Sequence, residues 1–166
     1  TRTSARGRWT WSASNGSEPL AACQTRPMKQ ESPADLTATI RRIMPFCEVL
    51  GLTVVEASPD RVEATVEWTE QRTTVFGGLH GGYVMAVADS TGALCAAQNL
   101  PSGAGTSTIE SKTNFLRPII SGTATIVSTP VHVGRTTIVV QTEVFRYDGK
   151  MAAITTQTQI VLPAGP

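Results

Sequence analysis

Between Thr73 and Ile109 the only Asp, Glu, Lys or Arg side chain is Asp89. Within this stretch, residues 81–98 contain Ala, Met, Val and Leu but no Pro, which predicts a helix. Its small residues fall on several faces. A helix without a continuous charged face is a buried one, because all of its sides need cover. The remainder of the chain must therefore wrap around residues 81–98.

Segments rich in Thr, Val and Ile supply this cover. In the segment Arg61–Trp68, Val62 and Val66 alternate with Glu63 and Glu67, as in a strand with one wet face. Five further strands are expected at residues 49–56, 106–116, 122–133, 136–147 and 151–162, and a short helix from Ser32 to about Pro45. The predicted fold class is α+β, a curved antiparallel sheet of about six strands around one long helix.

The length of 166 residues fits one domain, which we place at residues 34–166. Residues 1–33 are rich in Arg, Ser, Thr, Gly and Pro and predict a disordered or loosely docked N-terminal extension. Met28 is a plausible native start, with the preceding residues an extension of the reading frame. A docked N-terminal arm is the alternative.

The net charge of +1, without a basic stripe, argues against a nucleic-acid partner. No apolar run approaches the ~20 residues of a membrane span, and Leu20-Ala21-Ala22 is too short for a secretory signal. Only 16% of the residues are charged, so part of the surface is expected to be buried against another copy.

The cysteines and histidines are widely spaced. Cys23, Cys47 and Cys95 are odd in number and lack CxxC spacing, which argues against a disulfide framework and favours a reducing cytoplasm. His80 and His132 lie too far from these cysteines in sequence for a recognisable zinc site. We expect no metal.

Asp89 is the candidate catalytic carboxylate, because a buried carboxylate is costly unless it is paired or useful, and the helix offers no Lys or Arg. A structural Asp bonded to Ser90, Thr91 or a strand is the alternative. If Gly81 begins the helix, its free N–H can polarise a carbonyl, and Gly82 leaves room for a close approach. For the glycines alone, a tight helix entry is the simpler interpretation.

Gly81 and Asp89 are eight residues apart, or ~12 Å along a helix, so they cannot contact one carbonyl together. If two chains pack with these helices antiparallel, Asp89 of one chain meets Gly81 of the other. A two-fold dimer with two composite sites follows as a hypothesis.

The motif His80-Gly81-Gly82, followed by Ala88-Asp89, by "TNFLRP" at 113–118 and by "GRTT" and "DGK", resembles the hot-dog-fold acyl-CoA thioesterases of the PaaI-like type. The resemblance spans roughly residues 46–162. It implies a curved antiparallel sheet around a central helix, a homodimer or homotetramer, and no cofactor beyond the CoA of the substrate.

The resemblance also implies residue roles. Asp89 would act on the thioester as nucleophile or general base, the Gly81 N–H would polarise the carbonyl across the dimer interface, and His80 would shape the helix start. Many members carry Asn or Gln fifteen residues before the acid, where this chain has Thr74. Thr74 or Thr73 fills that role only in part. Ser107 matches a strand position where some members place a hydroxyl near the attacking water.

Substrate contacts are implied at the helix start and near two turns. Tyr83, Met85 and Phe115 are candidates for the acyl pocket, although core packing is the better expectation for Met85. The complete set of implied substrate-binding residues is Gly82, Tyr83, Phe115, Arg117, Gly134, Arg135 and Thr136. Among these, the candidate anchors for the CoA phosphates are Arg117, Gly134, Arg135 and Thr136, with Lys150 as a further one.

Two alternatives stay open. A hot-dog dehydratase would work a His against a carboxylate, but the order of the HGG motif and Asp89 argues against it. A non-catalytic acyl-CoA-binding or regulatory dimer is credible, because Thr74 replaces the usual amide. The acyl group itself does not follow from the sequence.

Overall fold

The computed structural model describes residues 32–164. The predictions made for residues 1–31, including a native start at Met28 and an N-terminal extension, lie outside the described residues, as does Cys23.

The first helix, α1 (Pro33–Ile43), begins and ends as its sequence predicts. The Ser32 hydroxyl caps its N-terminus by accepting from the Asp35 N–H, and Pro33 occupies the first turn, where a missing N–H costs nothing. Leu36 and Ile40, one turn apart, are buried. This face places α1 against the first strand of the sheet.

The predicted strand at residues 49–56 is wrong in its first half. Residues Phe46–Leu50 form a short helix, α2, which ends at Gly51 with φ +67°. Only then does the first strand, β1 (Thr53–Ala57), begin. A short apolar run is ambiguous between helix and strand, and here the left-handed Gly51 makes the break between them.

The strands form one antiparallel sheet in the order β1-β2-β4-β5-β6-β3. Beyond β1 these are β2 (Val62–Glu67), β3 (Gly105–Phe115), β4 (Thr123–Val133), β5 (Thr137–Phe145) and β6 (Met151–Leu162). The predicted six strands and their antiparallel pairing are confirmed.

The long helix is α3 (Gly81–Ala97), which contacts α2 and the strands β2 to β6. Its buried residues include Val84, Val87, Ala88, Leu94 and Cys95. The expectation that the sheet wraps this helix is therefore confirmed. One correction applies: Met85, expected in the core, is 40% exposed.

The two edges of the sheet differ in what covers their main chain. At the β1 edge, the Val54 N–H donates to Thr37 Oγ1 at 2.9 Å, and the Leu52 carbonyl accepts from Arg41 of α1. At the β3 edge, no described residue hydrogen-bonds the main chain on the side away from β6. An eleven-residue strand with such an edge is a template for pairing with another chain.

Candidate active site

His80 forms the N-terminal cap of α3. Its Nδ1 accepts a hydrogen bond from the Gly82 N–H at 3.0 Å, and its own N–H donates to the Arg72 carbonyl at 2.8 Å. The cap satisfies one of the N–H groups that a helix start leaves without an intrahelical acceptor. His80 therefore holds the helix start in place through its ring and its main chain.

Gly81 is the first residue of α3, and no described residue accepts a hydrogen bond from its N–H. A Cβ at this position would lie 3.2 Å from Cζ of the Phe115 ring, closer than ordinary packing allows. Glycine thus lets the Phe115 ring pack against the start of the helix. The free Gly81 N–H at this N-terminus is a donor of the kind that can polarise a carbonyl oxygen.

Asp89 is half-buried on α3, and one of its carboxylate oxygens is held by the sheet. The Thr108 hydroxyl donates to Asp89 Oδ1 at 3.0 Å, and Gln157 Nε2 lies 3.4 Å from the same oxygen. No described Lys or Arg forms an ion pair with Asp89. Among residues 32–164 none hydrogen-bonds Oδ2, so the sheet holds one carboxylate oxygen and leaves the other without a partner in this part of the chain.

The polar residues on the inner face of β6 were not predicted as part of the site. Thr155, Gln157 and Gln159 are all fully buried, although core strands normally place apolar residues at such positions. The sequence of β6 does hold a signal that predicts this. In a strand every second residue faces the same way, so Thr155, Gln157 and Gln159 share the inward face with apolar Ala153. Buried glutamines on that face indicate a polar site beneath α3.

The predicted hydroxyls fall in different places. The Thr73 hydroxyl donates to the Glu70 carbonyl at 2.8 Å, whereas no described residue hydrogen-bonds the exposed Thr74 side chain. Ser107 is exposed, and the hydroxyl on Asp89 belongs to the next residue, Thr108. Within one chain, Thr108 and not Ser107 therefore hydrogen-bonds Asp89.

The predicted substrate-binding residues separate into two groups at opposite ends of β6. Phe115 pairs with Ala153 near the start of β6, and Arg117 Nη1 donates to the Met151 carbonyl there. Residues 134–136 form the β4–β5 turn, beside Ile160 at the other end. One chain therefore does not bring the predicted phosphate anchors together. Lys150 joins the first group, Arg135 and Thr136 the second, and Gly134 closes the turn by donating its N–H to the Thr137 carbonyl.

Two cavities flank the N-terminus of α3. The smaller, about 340 Å³, is lined by Gly81, Phe115, Arg117 and apolar residues of β6 and the β3–β4 connection. The larger, about 830 Å³, lies beside His80 and Gly82 and is lined by Phe46, Val49 and Tyr83, among others.

Tyr83 is braced at the wall of the larger cavity. Its hydroxyl donates to the Leu50 carbonyl at 2.6 Å and accepts from Arg72 Nη1 at 3.0 Å. Burial raises the pKa of the Tyr83 phenol, and the Arg72 guanidinium offsets part of this rise. Tyr83 is therefore neutral at physiological pH and presents its ring to the cavity.

Within residues 32–164, no three His, Cys, Asp or Glu side chains lie close enough together to hold a metal ion. The helices described for the same residues are all too short or too polar to cross a bilayer.

Comparison with known proteins gives a consistent result. A model of the "Thioesterase superfamily" matches residues 76–153. The Bacillus subtilis protein named "Putative esterase ComA2" is 32% identical over 117 residues, which cover 69% of this chain and 92% of the relative.

Solved structures agree with both matches. The thioesterase HI1161 of Haemophilus influenzae superposes with a TM-score of 0.74 at 26% identity, covering 80% of this chain and 92% of that one. A variant of the Pseudomonas aeruginosa thioesterase PA1618 has the same TM-score, 0.74, at 26% identity, covering 84% and 98%. The chain therefore belongs to the thioesterase superfamily and has the hot-dog fold of a thioester hydrolase.

Proposed function

We propose that this protein hydrolyses acyl-CoA thioesters to free acid and CoA, with Asp89 as the reacting carboxylate. The observation that carries the proposal is the asymmetric Asp89 carboxylate: Thr108 and Gln157 hold Oδ1, no described cation neutralises it, and Oδ2 has no partner among the described residues. A carboxylate that served only to join α3 to the sheet would gain from using both oxygens.

In the general-base route, Asp89 takes a proton from water while the water oxygen bonds to the thioester carbon. In the nucleophilic route, the carboxylate attacks that carbon itself. In both routes the carbonyl oxygen becomes negative and accepts from the Gly81 N–H. The C–S bond then breaks, and the sulfur leaves as a thiolate that takes up a proton, from Asp89 in the general-base route and from water in the nucleophilic one, to become the CoA thiol. The general-base route releases the free acid directly, whereas the nucleophilic route leaves a mixed anhydride on Asp89, which water hydrolyses.

Gly81 and Asp89 act together only if they come from different chains, because ~12 Å of helix separates them within one chain. The uncovered edge of β3 supports a dimer with this property. On α3, Gly81 packs at the Phe115 end of β3, and Asp89 contacts Thr108 near the other end. Antiparallel pairing of two β3 strands brings Gly81 of one chain towards Asp89 of its partner.

Symmetry and charge together favour one register for this pairing. Successive residue pairs of an antiparallel ladder alternate between hydrogen-bonded and non-hydrogen-bonded, so a two-fold axis must pass through a residue paired with itself. Centring on Glu110 or Lys112 would oppose like charges. Centring on Ser111, which lies between these two charged residues, places Glu110 opposite Lys112 of the partner subunit. We therefore place the axis at Ser111.

The same pairing joins the two groups of CoA anchors. Arg117 and Lys150 lie at the Phe115 end of one chain, and in the proposed dimer they approach the partner's Arg135 from the other end of its sheet. Guanidinium and ammonium groups clustered in this way suit the phosphates of CoA.

The larger cavity is the proposed acyl pocket. It adjoins His80 and Gly82, and Phe46 and Val49 on its rim are 56% and 71% exposed. Apolar rings and branched side chains left open beside a carbonyl-polarising helix start suit an aromatic or medium-chain acyl group.

The test is release of free thiol from a panel of aromatic and medium-chain acyl-CoAs by wild type and Asp89→Ala. We expect turnover by wild type and a loss of at least about a hundredfold in Asp89→Ala, with dimerisation unchanged. Equal hydrolysis by both proteins would exclude the role of Asp89. Tight binding of an acyl-CoA without turnover by wild type would favour the non-catalytic alternative that Thr74 suggests.

A further inference from the structure

Behind Asp89, a chain of three polar side chains runs along the inner face of the sheet. Thr108 Oγ1 donates to Asp89 Oδ1 at 3.0 Å, Gln159 Nε2 donates to Thr108 Oγ1 at 2.7 Å, and Thr106 Oγ1 donates to Gln159 Oε1 at 3.0 Å. Gln159 is fully buried and does not contact Asp89. The chain ends at Thr106, whose hydroxyl also lies 3.0 Å from the Ile160 carbonyl.

The direction of every hydrogen bond in this chain follows from the charge at its end. An ionised carboxylate has no proton to give, so the Thr108 hydroxyl must donate to Asp89. Its lone pairs then face Gln159, which must present its NH₂ group rather than its carbonyl oxygen. The Gln159 oxygen consequently faces Thr106, whose single hydroxyl proton is shared between this oxygen and the Ile160 carbonyl. A reversed amide would set its oxygen against the Thr108 lone pairs.

We infer that Gln159 is a positioning residue for Asp89, acting through Thr108. By fixing the Thr108 hydroxyl as a donor, Gln159 holds Asp89 Oδ1 on the sheet and keeps Oδ2 turned towards the substrate. Burying a glutamine side chain costs free energy unless its amide is used, and both ends of this amide are used. The expected effect on kcat rests on the proposed hydrolysis, whereas the positioning of Asp89 through Thr108 does not.

The kinetic test uses Gln159→Leu, Thr108→Val and the double variant, assayed with one acyl-CoA that wild type hydrolyses. Thr108→Val loses the hydrogen bond to the charged carboxylate, and Gln159→Leu loses the hydrogen bond that orients this donor. Each single variant is expected to lower kcat about tenfold, with KM within about twofold of wild type. Because Gln159 acts through Thr108, the double variant should be no slower than Thr108→Val alone. Thr108→Ser, which keeps the donor, should retain kcat within about twofold.

Ser128→Ala is the matched control. Its hydroxyl is buried 2.7 Å from that of Thr142, on β4 and β5, and hydrogen-bonds neither Asp89 nor Thr108. Its kcat should stay at the wild-type value. A full additional loss in the double variant, or wild-type kcat in a folded Gln159→Leu, would overturn the inference.

A second measurement does not require hydrolysis and stands if Gln159→Leu fails to fold. Asp89→Ala removes the acceptor at the end of the chain, so Thr108 is free to reorient and the side-chain NH₂ resonances of Gln159 should shift. The same resonances should be unchanged in Ser128→Ala. Unshifted Gln159 resonances in Asp89→Ala would overturn the inference. If wild type hydrolyses no thioester, only the proposed function is wrong, and the inference about Gln159 is still tested by these resonances.

Discussion

The side-chain amide of Gln157 occupies the space that a Cβ on Gly92 would need. An ideal Cβ at Gly92 would lie 2.5 Å from Gln157 Cδ and closer still to Oε1. Gln157 Nε2 reaches both the main-chain carbonyl and the carboxylate of Asp89, at 3.3 and 3.4 Å. The glycine in the middle of α3 is therefore the complement of a buried glutamine on β6, and together they bring an amide to Asp89.

Gly92→Ala should consequently disturb Asp89 from a distance. The added methyl group forces the Gln157 amide out of its place, and overpacking of this kind typically costs about 1–3 kcal/mol of stability. We expect a lower midpoint of thermal unfolding and reduced kcat. The compensating variant Gly92→Ala/Gln157→Ala should regain stability over Gly92→Ala but not kcat. Equal stability of the two would show that the clash is not the cause.

Complementation between inactive chains should reveal the composite site. In a heterodimer of Asp89→Ala and Gly81→Val, one site has both substitutions and the other has neither, so random subunit exchange should restore about a quarter of wild-type activity. Each homodimer should be inactive. Thiol release after exchange, with heterodimers counted by mass spectrometry, gives the measurement. Confirmed heterodimers without activity would place Gly81 and Asp89 in the same chain's site.

The charges of β3 should control dimer strength. Glu110→Lys places two lysines opposite each other at each of the two symmetric positions, and we expect dimer Kd to rise at least about tenfold. Glu110→Lys/Lys112→Glu should return it towards wild type. Asp60→Lys, the same charge change at the exposed β1–β2 turn, is the control and should leave Kd unchanged. Sedimentation velocity measures the dimer Kd of wild type and of the three variants. A double variant that dimerises as weakly as Glu110→Lys would rule out the Ser111-centred register.

Cys95 should make stability fall at high pH. Burial raises the pKa of its thiol to about 11 from 9.0. Between these two pH values the folded chain holds a thiol proton that the unfolded chain has lost. The contribution of Cys95 to the free energy of unfolding is therefore constant below about pH 9 and decreases towards pH 11, by about 1.4 kcal/mol per unit of pKa difference. Cys95→Ala should reduce this slope in unfolding measured from pH 8 to 10.5. An unchanged slope would assign the loss to other groups.

Local pattern was enough to predict most of the elements. The alternation at Val62, Ala64 and Val66 predicts β2, and the lack of charge around Asp89 predicts a wrapped helix, because both signals lie within a few consecutive residues. Val49 shows the limit: the segment Phe46–Leu50 is too short for its apolar residues to separate helix from strand, and the turn at Gly51 decides.

The site was predicted only in part. Asp89 stands out because it is the single charge in an apolar helix, and His80 and Gly81 stand out because a His-Gly-Gly motif marks the start of that helix. Thr108 and Gln159 do not stand out, since Thr and Gln are ordinary residues in strands. Their significance depends on burial, which becomes visible only when β6 is known to turn its 155–159 face towards α3.

What the sequence determined by itself was therefore the set of elements and one carboxylate that needed an explanation, because periodicity and the cost of a buried charge are local properties. The tertiary structure decided which groups meet that carboxylate. It set Thr108 rather than Ser107 on Asp89, since a strand presents alternate residues to alternate faces, and it left the β3 edge uncovered. Contacts between residues nearly seventy positions apart, such as Asp89 and Gln157, arise only from the order in which the strands pair.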